Sequence, residues 1–373
     1  MLADTAITEV FSHPGADREG RTPRAKWRET LGSGLHHSGA LSILRALSRR
    51  YEFAPTGDGK AHRLRRAKRA KFAILCYHRV GIGGIPFFSE LLPELFEAQV
   101  RYLRRFFRIL SLDDLCEEMQ SGHGTDNGVA VTFDDGYADL FTHAMPVLKT
   151  YKIPATIYLP VASIETGEVP WYDRIFLALQ VYPGKEFEIF LSGPQKLRLD
   201  STGARLRAAA EIIQYLRTVP DASRRERCQD IEKTVSLPGN ELKDRMLNWN
   251  QVRTMYRSGV SFGSHTMTHP VVSQLTVSQM ESELEESKTL LEQRLSNTVR
   301  HFAFPFGKPE DCGTNTSSVL NRLGYRSAST TVEGLNWEGD DLFELRRTQI
   351  VNEASISMFA CKLNQLFFAP GRS

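Results

Sequence analysis

The chain has 373 residues, 41% of them hydrophobic and 24% charged, and a formal net charge of +3. This is ordinary globular composition, long enough for one large α/β barrel or two medium domains. Charge is uneven, with 15 Lys/Arg against 7 Asp/Glu in residues 1–71 and 32 against 37 in the rest, so a basic arm precedes a mildly acidic body. No apolar run approaches 18 residues, which excludes a membrane-spanning helix read from hydropathy. Five scattered cysteines without CxxC pairing argue against a disulfide framework or a cysteine zinc site.

Residues 1–71 form the arm, read as partly disordered. Within it, 41–53 has helical periodicity through Leu41, Leu44, Leu47 and Phe53, and 60–71 is a charged linker. The first twenty residues lack the basic start, apolar run and cleavage site of a secretory signal, so a cytoplasmic location is expected. From Phe72, β-rich runs recur at 72–78, 129–133, 155–159, 260–265, 301–305, 325–329 and 345–351. Several are continuously apolar, as buried parallel strands are. Helices are predicted from Pro93 to Phe107 and from Thr276 to Leu295. The second has a Thr276/Gln279 capping box and an inward stripe of Met280, Leu284, Leu291 and Leu295. Strands alternating with helices indicate a parallel α/β fold, a seven-stranded barrel or an open doubly wound sheet.

The stretch 160–259 is too long for a simple crossover and reads as an insertion at the rim. It holds a helical 171–180, a strand-like 185–191 and one charged helical stretch over 203–233. The barrel domain is taken as 72–360, followed by a tail over 361–373.

Three segments carry chemistry. VAVTFDDGYAD (129–139) ends an apolar strand in the adjacent carboxylates Asp134 and Asp135. Such a pair repels unless it shares a cation or proton, and one member can ligate while the other serves as a general base. FGSHTMTHP (262–270) spaces His265 and His269 four apart. One helical turn after the strand would face both imidazoles the same way, and two histidines with a carboxylate make a recurrent metal site. HFAFPFGKPED (301–311) ends in Pro305, Phe306 and Gly307, where a backbone N–H could meet a developing oxyanion.

Together these segments resemble the polysaccharide deacetylase family, whose catalytic region is the nodulation-factor deacetylase homology domain. LCYHRV (75–80) and PATIYLP (154–160) resemble family segments as well. The resemblance spans roughly 72–351 and implies a distorted (β/α)7 barrel. It implies Asp134 as general base and Asp135, His265 and His269 as ligands of a divalent metal, usually zinc, with cobalt or nickel also acceptable to such ligands. It further implies the Phe306 N–H as an oxyanion donor. Two features depart from the family. The position where an arginine often orients the base is Ala303, and no histidine follows His301 to act as a late acid. His78 is the candidate replacement acid and Arg347 the candidate partner of the base, each with a structural alternative. The early Tyr-His and the late Arg resemble an exopolysaccharide-associated branch of the family.

The implied function is N-deacetylation of an amino sugar in a polysaccharide or lipid-linked glycan. Deformylation of a lipid-linked sugar and a catalytically silent glycan-binding barrel remain as alternatives. No nucleic acid partner is expected, because the body is acidic and no nucleic-acid motif appears. His143 reads as a helix residue without a chemical role. Trp171, Tyr172 and Trp249 are candidates for sugar stacking, with core or lid packing as the commoner use of such residues. Asp173 and Arg174 are expected to ion-pair nearby. The arm reads by default as a solvated tail; peripheral contact with the inner membrane surface is the alternative. That alternative predicts that removing residues 1–70 lowers co-sedimentation with anionic liposomes, and equal binding by both proteins contradicts it.

Overall fold

In a computed structural model the described residues are 70–82, 90–122, 127–237, 239, 245–350 and 355–368. The predicted arm and its 41–53 helix lie outside them. Among the described residues there are eleven strands: β1 (Lys71–Tyr77), β2 (Arg108–Ile109), β3 (Gly128–Phe133), β4 (Ala155–Leu159), β5 (Glu186–Phe190), β6 (Pro194–Arg198), β7 (Ser261–Ser264), β8 (His301–Ala303), β9 (Ser327–Ser329), β10 (Asn336–Trp337) and β11 (Thr348–Gln349). The main sheet runs β10-β1-β3-β4-β7-β8-β9, with β2 on β3 and β11 on β1. All seven predicted strands are there, and each pairs in parallel with its neighbours. A parallel bridge from Ser329 to Leu345 and the register Leu75 to Thr348 lead β9 back to β1. The fold is the curled, seven-stranded parallel α/β barrel expected; within the main sheet β10 runs antiparallel, on β1, and β5 and β6 form a separate antiparallel hairpin.

The pleat sorts side chains to two cores. Phe72, Ile74, Ala130, Tyr158, Ala303 and Leu345 cluster with Leu112, Leu115 and Met119 at one end of the ring. Ala73, Leu75, Val129, Val131, Ile157 and Leu159 belong to the large core shared with the surrounding helices. The polar residues of the sequence motifs lie beyond the C-terminal ends of their strands, the face where barrels of this class place their sites.

Helix boundaries follow local chemistry. Pro93 opens Pro93–Phe106 where its missing N–H costs nothing. Thr276 and Gln279 form the expected reciprocal cap of Val277–Leu295, whose predicted stripe is buried. His143 lies in a π-helical turn, Leu140–Ala144. Two expectations are corrected. The charged stretch over 203–233 is two helices, Thr202–Leu216 and Asp221–Val235, because Pro220 lacks an N–H and caps the second. The segment read as a tail from 361 carries most of a helix, Ile356–Phe368. Phe359 packs on Tyr102 and Phe367 on Phe107, so its apolar face is spent on the barrel. None of the described helices is long and apolar enough to cross a membrane.

At Gly263, in β7, a Cβ would fall 2.5 Å from the Tyr158 ring and 2.7 Å from the His301 carbonyl oxygen. Gly263→Ala should therefore cost about 1–3 kcal/mol by overpacking, read as a lowered urea midpoint. An unchanged midpoint would mean that β7 and β8 separate freely.

Candidate active site

Asp134 follows the last residue of β3 and is 2% exposed, and Arg347, just before β11, is fully buried. Arg347 Nη1 donates to Asp134 Oδ1 at 2.7 Å and Nη2 to Oδ2 at 2.8 Å, a fork matching the two carboxylate oxygens. Arg347 Nε donates to the Thr330 carbonyl at 2.8 Å, fixing the plane of the guanidinium. Burial by itself raises the Asp134 carboxyl, but the Arg347 charge and hydrogen bonds outweigh it and hold Asp134 well below the usual carboxylate range. Asp134 is therefore an ionised carboxylate at neutral pH. Ala303, where family members often carry the arginine, is a buried barrel residue whose carbonyl serves another purpose.

That carbonyl accepts from His265 Nδ1 at 2.7 Å. The ring is thereby fixed with its Nε2 lone pair toward Asp135. Burial lowers the His265 pKa to about 4, so the imidazole is neutral. His265 Nε2 lies 3.7 Å and His269 Nε2 3.4 Å from Asp135 Oδ1. Three ligand atoms that close suit an ion at their centre, since ligands about 2.0–2.2 Å from a tetrahedral ion stand about 3.4 Å apart. Asp135, His265 and His269 are all buried, and their ligand atoms lie within 4.8 Å of one another. The donor set thus fits a divalent cation. Asp135 is raised by burial but lowered by His269, and the net direction is down, toward the ionised form a ligand needs.

The path between the histidines is not the expected helical turn. Thr266 and His269 have φ of 67° and 56°, left-handed values that break the turn. A carboxylate from the helix Val277–Leu295 stabilises this path: Glu283 Oε2 accepts from the Met267 and Thr268 N–H groups, both at 2.8 Å, and Oε1 from the Thr268 hydroxyl. The His269 N–H donates to Thr266 Oγ1 at 3.0 Å. Asp135 (φ 69°) and Phe306 (φ 60°) are left-handed too. Four non-glycine residues at one site in a conformation costing about 1–2 kcal/mol each mark stored backbone strain. Phe306 N–H donates to no group among the described residues, and its ring packs 5.1 Å from that of His269. His78 lies beyond β1, partly buried, with its ring within 4.8 Å of the Asp134 carboxylate and Cys76 Sγ.

The helix Trp171–Val181 meets this centre through three consecutive residues. Trp171 Nε1 donates to the His269 carbonyl at 3.0 Å, and Tyr172 packs its edge 4.9 Å from the His269 ring. Asp173 accepts from the Tyr137 hydroxyl at 2.7 Å, and burial pushes its carboxyl up to about 7. Trp171 and Tyr172 are buried packing residues rather than an open sugar platform. Arg174 forms ion pairs nearby, with Glu168 and Glu232, and Asp173 is held by the Tyr137 hydroxyl. Trp249 donates to Glu165 and carries the Arg294 guanidinium over its ring. Glu283, Tyr137 and the tie from Trp171 were missed in sequence. Glu283 is one more acidic residue on a helix rich in them, and only its burial distinguishes it.

An ionised carboxylate beside a cation-fitting triad, at the strand ends of a parallel barrel, defines a hydrolase site. The family model described as polysaccharide deacetylase matches residues 121–183 and 222–328. The unmatched residues between them hold the β5-β6 hairpin and the helix Thr202–Leu216. YxkH of Bacillus subtilis (strain 168), whose name carries the same family term, is 22% identical over 302 residues, covering 80% of this chain and 78% of its own. The Streptococcus pyogenes deacetylase PplD in complex with acetate superposes with a TM-score of 0.55 at 20% identity, covering 81% of this chain and 100% of that one. IcaB from Ammonifex degensii gives 0.51 at 19% identity, covering 78% and 97%. The chain belongs to the polysaccharide deacetylase family of hydrolases.

Glu283→Ala should weaken zinc binding by about 10–100-fold in calorimetric titration, because the loop carrying His269 loses its anchor. Unchanged affinity would show that the loop holds its path without Glu283.

Proposed function

We propose that the protein is a metal-dependent N-deacetylase of amino sugars in a polysaccharide or lipid-linked glycan. The observation that carries this reading is the Asp134 carboxylate, kept ionised by Arg347 beside the Asp135, His265 and His269 triad. Two imidazoles and one carboxylate suit zinc, and accept cobalt or nickel. When bound, such an ion supplies Lewis acidity to the acyl carbonyl and to the attacking water.

The chain's own groups do the rest. Asp134 accepts a proton from the water as its oxygen bonds to the acyl carbon. The Phe306 N–H donates to the carbonyl oxygen as negative charge develops there. His78, beside the base, donates a proton to the amide nitrogen, because an amide anion is too basic to leave. The C–N bond then breaks, giving acetate and the free amine. Arg347 acts through Asp134, as a positioning residue.

The exopolysaccharide-associated branch, with its glycan polymers, is the substrate setting the early Tyr-His and late Arg favour. Deformylation would use the same groups, and product analysis for formate against acetate separates the two.

Acetate release from N-acetylated chitooligosaccharides by zinc-reloaded protein should fall by about 10²–10⁴ in Asp134→Asn with the zinc content retained. His78→Ala should lose a similar factor on the amide yet be largely spared on 4-nitrophenyl acetate, whose leaving group departs unprotonated. Equal losses on both substrates would remove His78 from the acid role. A metal-free native protein would favour the silent glycan-binding reading.

A further inference from the structure

Cys76 is unused by the mechanism, yet its thiol is fully buried against the base, with Sγ 3.5 Å from Asp134 Oδ2. Sheet geometry puts it there. Cys76 and His78 are two apart along one extended segment and so share a face. The parallel register pairs Cys76 with Thr132 and Tyr77 with Phe133, which sets Asp134 on the next strand beside them. One sulfur, one imidazole nitrogen and one carboxylate oxygen lie within 4.8 Å of one another. In a tetrahedral site, sulfur at about 2.3 Å and oxygen at about 2.1 Å from a zinc-like ion stand about 3.6 Å apart. The Sγ to Oδ2 distance of 3.5 Å is close to this value.

We propose that Cys76, His78 and Asp134 form a second cation site, distinct from Asp135, His265 and His269, which takes a thiophilic divalent ion and thereby shuts the hydrolase off. The ion replaces the thiol proton between Sγ and Oδ2: the S–H bond breaks, that proton goes to solvent, and the thiolate binds the ion. Asp134 can accept it without releasing Arg347, since a carboxylate offers four lone-pair positions and the guanidinium occupies one on each oxygen. The Arg347 charge opposes the ion; the carboxylates of Asp134 and Asp135 and the new thiolate offset it. Sulfur selects for soft ions such as cadmium or excess zinc over magnesium or calcium. The shutting-off rests on the assignment of Asp134 and His78 as base and acid; the binding does not.

The test is a cadmium titration of the full chain carrying Cys312→Ser and Cys361→Ser, which removes the two partly exposed thiols. Ultraviolet thiolate-to-cadmium absorption and bound ions per chain are read together. The expected result is a thiolate band that grows after the first ion is bound, with deacetylation falling in step. Cys76→Ser should lose the band, one bound ion and the inhibition by excess cadmium or zinc. A band that persists in Cys76→Ser, or no band in the parent, overturns the site. If Cys76→Ser fails to fold, anomalous diffraction from cadmium-soaked parent crystals decides: a peak among Cys76, His78 and Asp134 supports the site, and its absence refutes it. A protein that shows the band but never releases acetate refutes the deacetylase reading and leaves the site standing.

Discussion

The barrel depends on one buried charge pair. Asp134 and Arg347 are 213 residues apart in sequence, and neither carries enough exposed surface to be solvated alone. Leaving either without the other would strand a buried charge, at a cost of about 3–5 kcal/mol. The pair therefore ties the end of β3 to the last strand of the ring, where β11 lies against β1. The same contact sets the chemistry: burial would protonate the carboxylate, and the guanidinium keeps it ionised. Closure of the ring and the ionised state of the Asp134 carboxylate are consequences of one interaction.

Around this pair the site is built from strained backbone held by groups outside it. Asp135, Thr266, His269 and Phe306 adopt left-handed conformations, and the loop between the histidines is bound by Glu283 rather than by its own helical hydrogen bonds. The helix Trp171–Val181 adds Trp171 and Tyr172 against His269 and so braces that side chain directly. Strain of this kind persists only when the surroundings over-determine it. Here the surroundings are the N-terminal half of the helix Val277–Leu295 and the start of the helix Trp171–Val181.

Much of this was legible in the sequence, for physical reasons. Several of the β-rich runs are continuously apolar, as strands covered on both faces are, and a strand appears at each of the seven runs. Asp134, Asp135, His265 and His269 stand out because polar residues that end apolar strands sit at a barrel's working face. Other features were not legible. The left-handed turn after Ser264 depends on Glu283, which is nineteen residues beyond it and looks like any helix carboxylate. The break at Pro220 was readable from proline chemistry, yet the charge pattern on either side masked it. The helix reaching Phe368 owes its existence to Tyr102 and Phe107, contacts that no local pattern encodes.

The most direct test of the central claim is the pH dependence of kcat/KM for acetate release by Arg347→Gln, beside the parent protein. The acidic limb reports the ionisation of the base in the free enzyme. Asp134 is active when ionised, and without Arg347 burial acts on it with less opposition, so its pKa rises. The account predicts that the acidic limb moves to higher pH while activity above that limb survives in part. An acidic limb at the parent's position in a folded Arg347→Gln protein would contradict it, and would mean that Arg347 closes the barrel without governing the base.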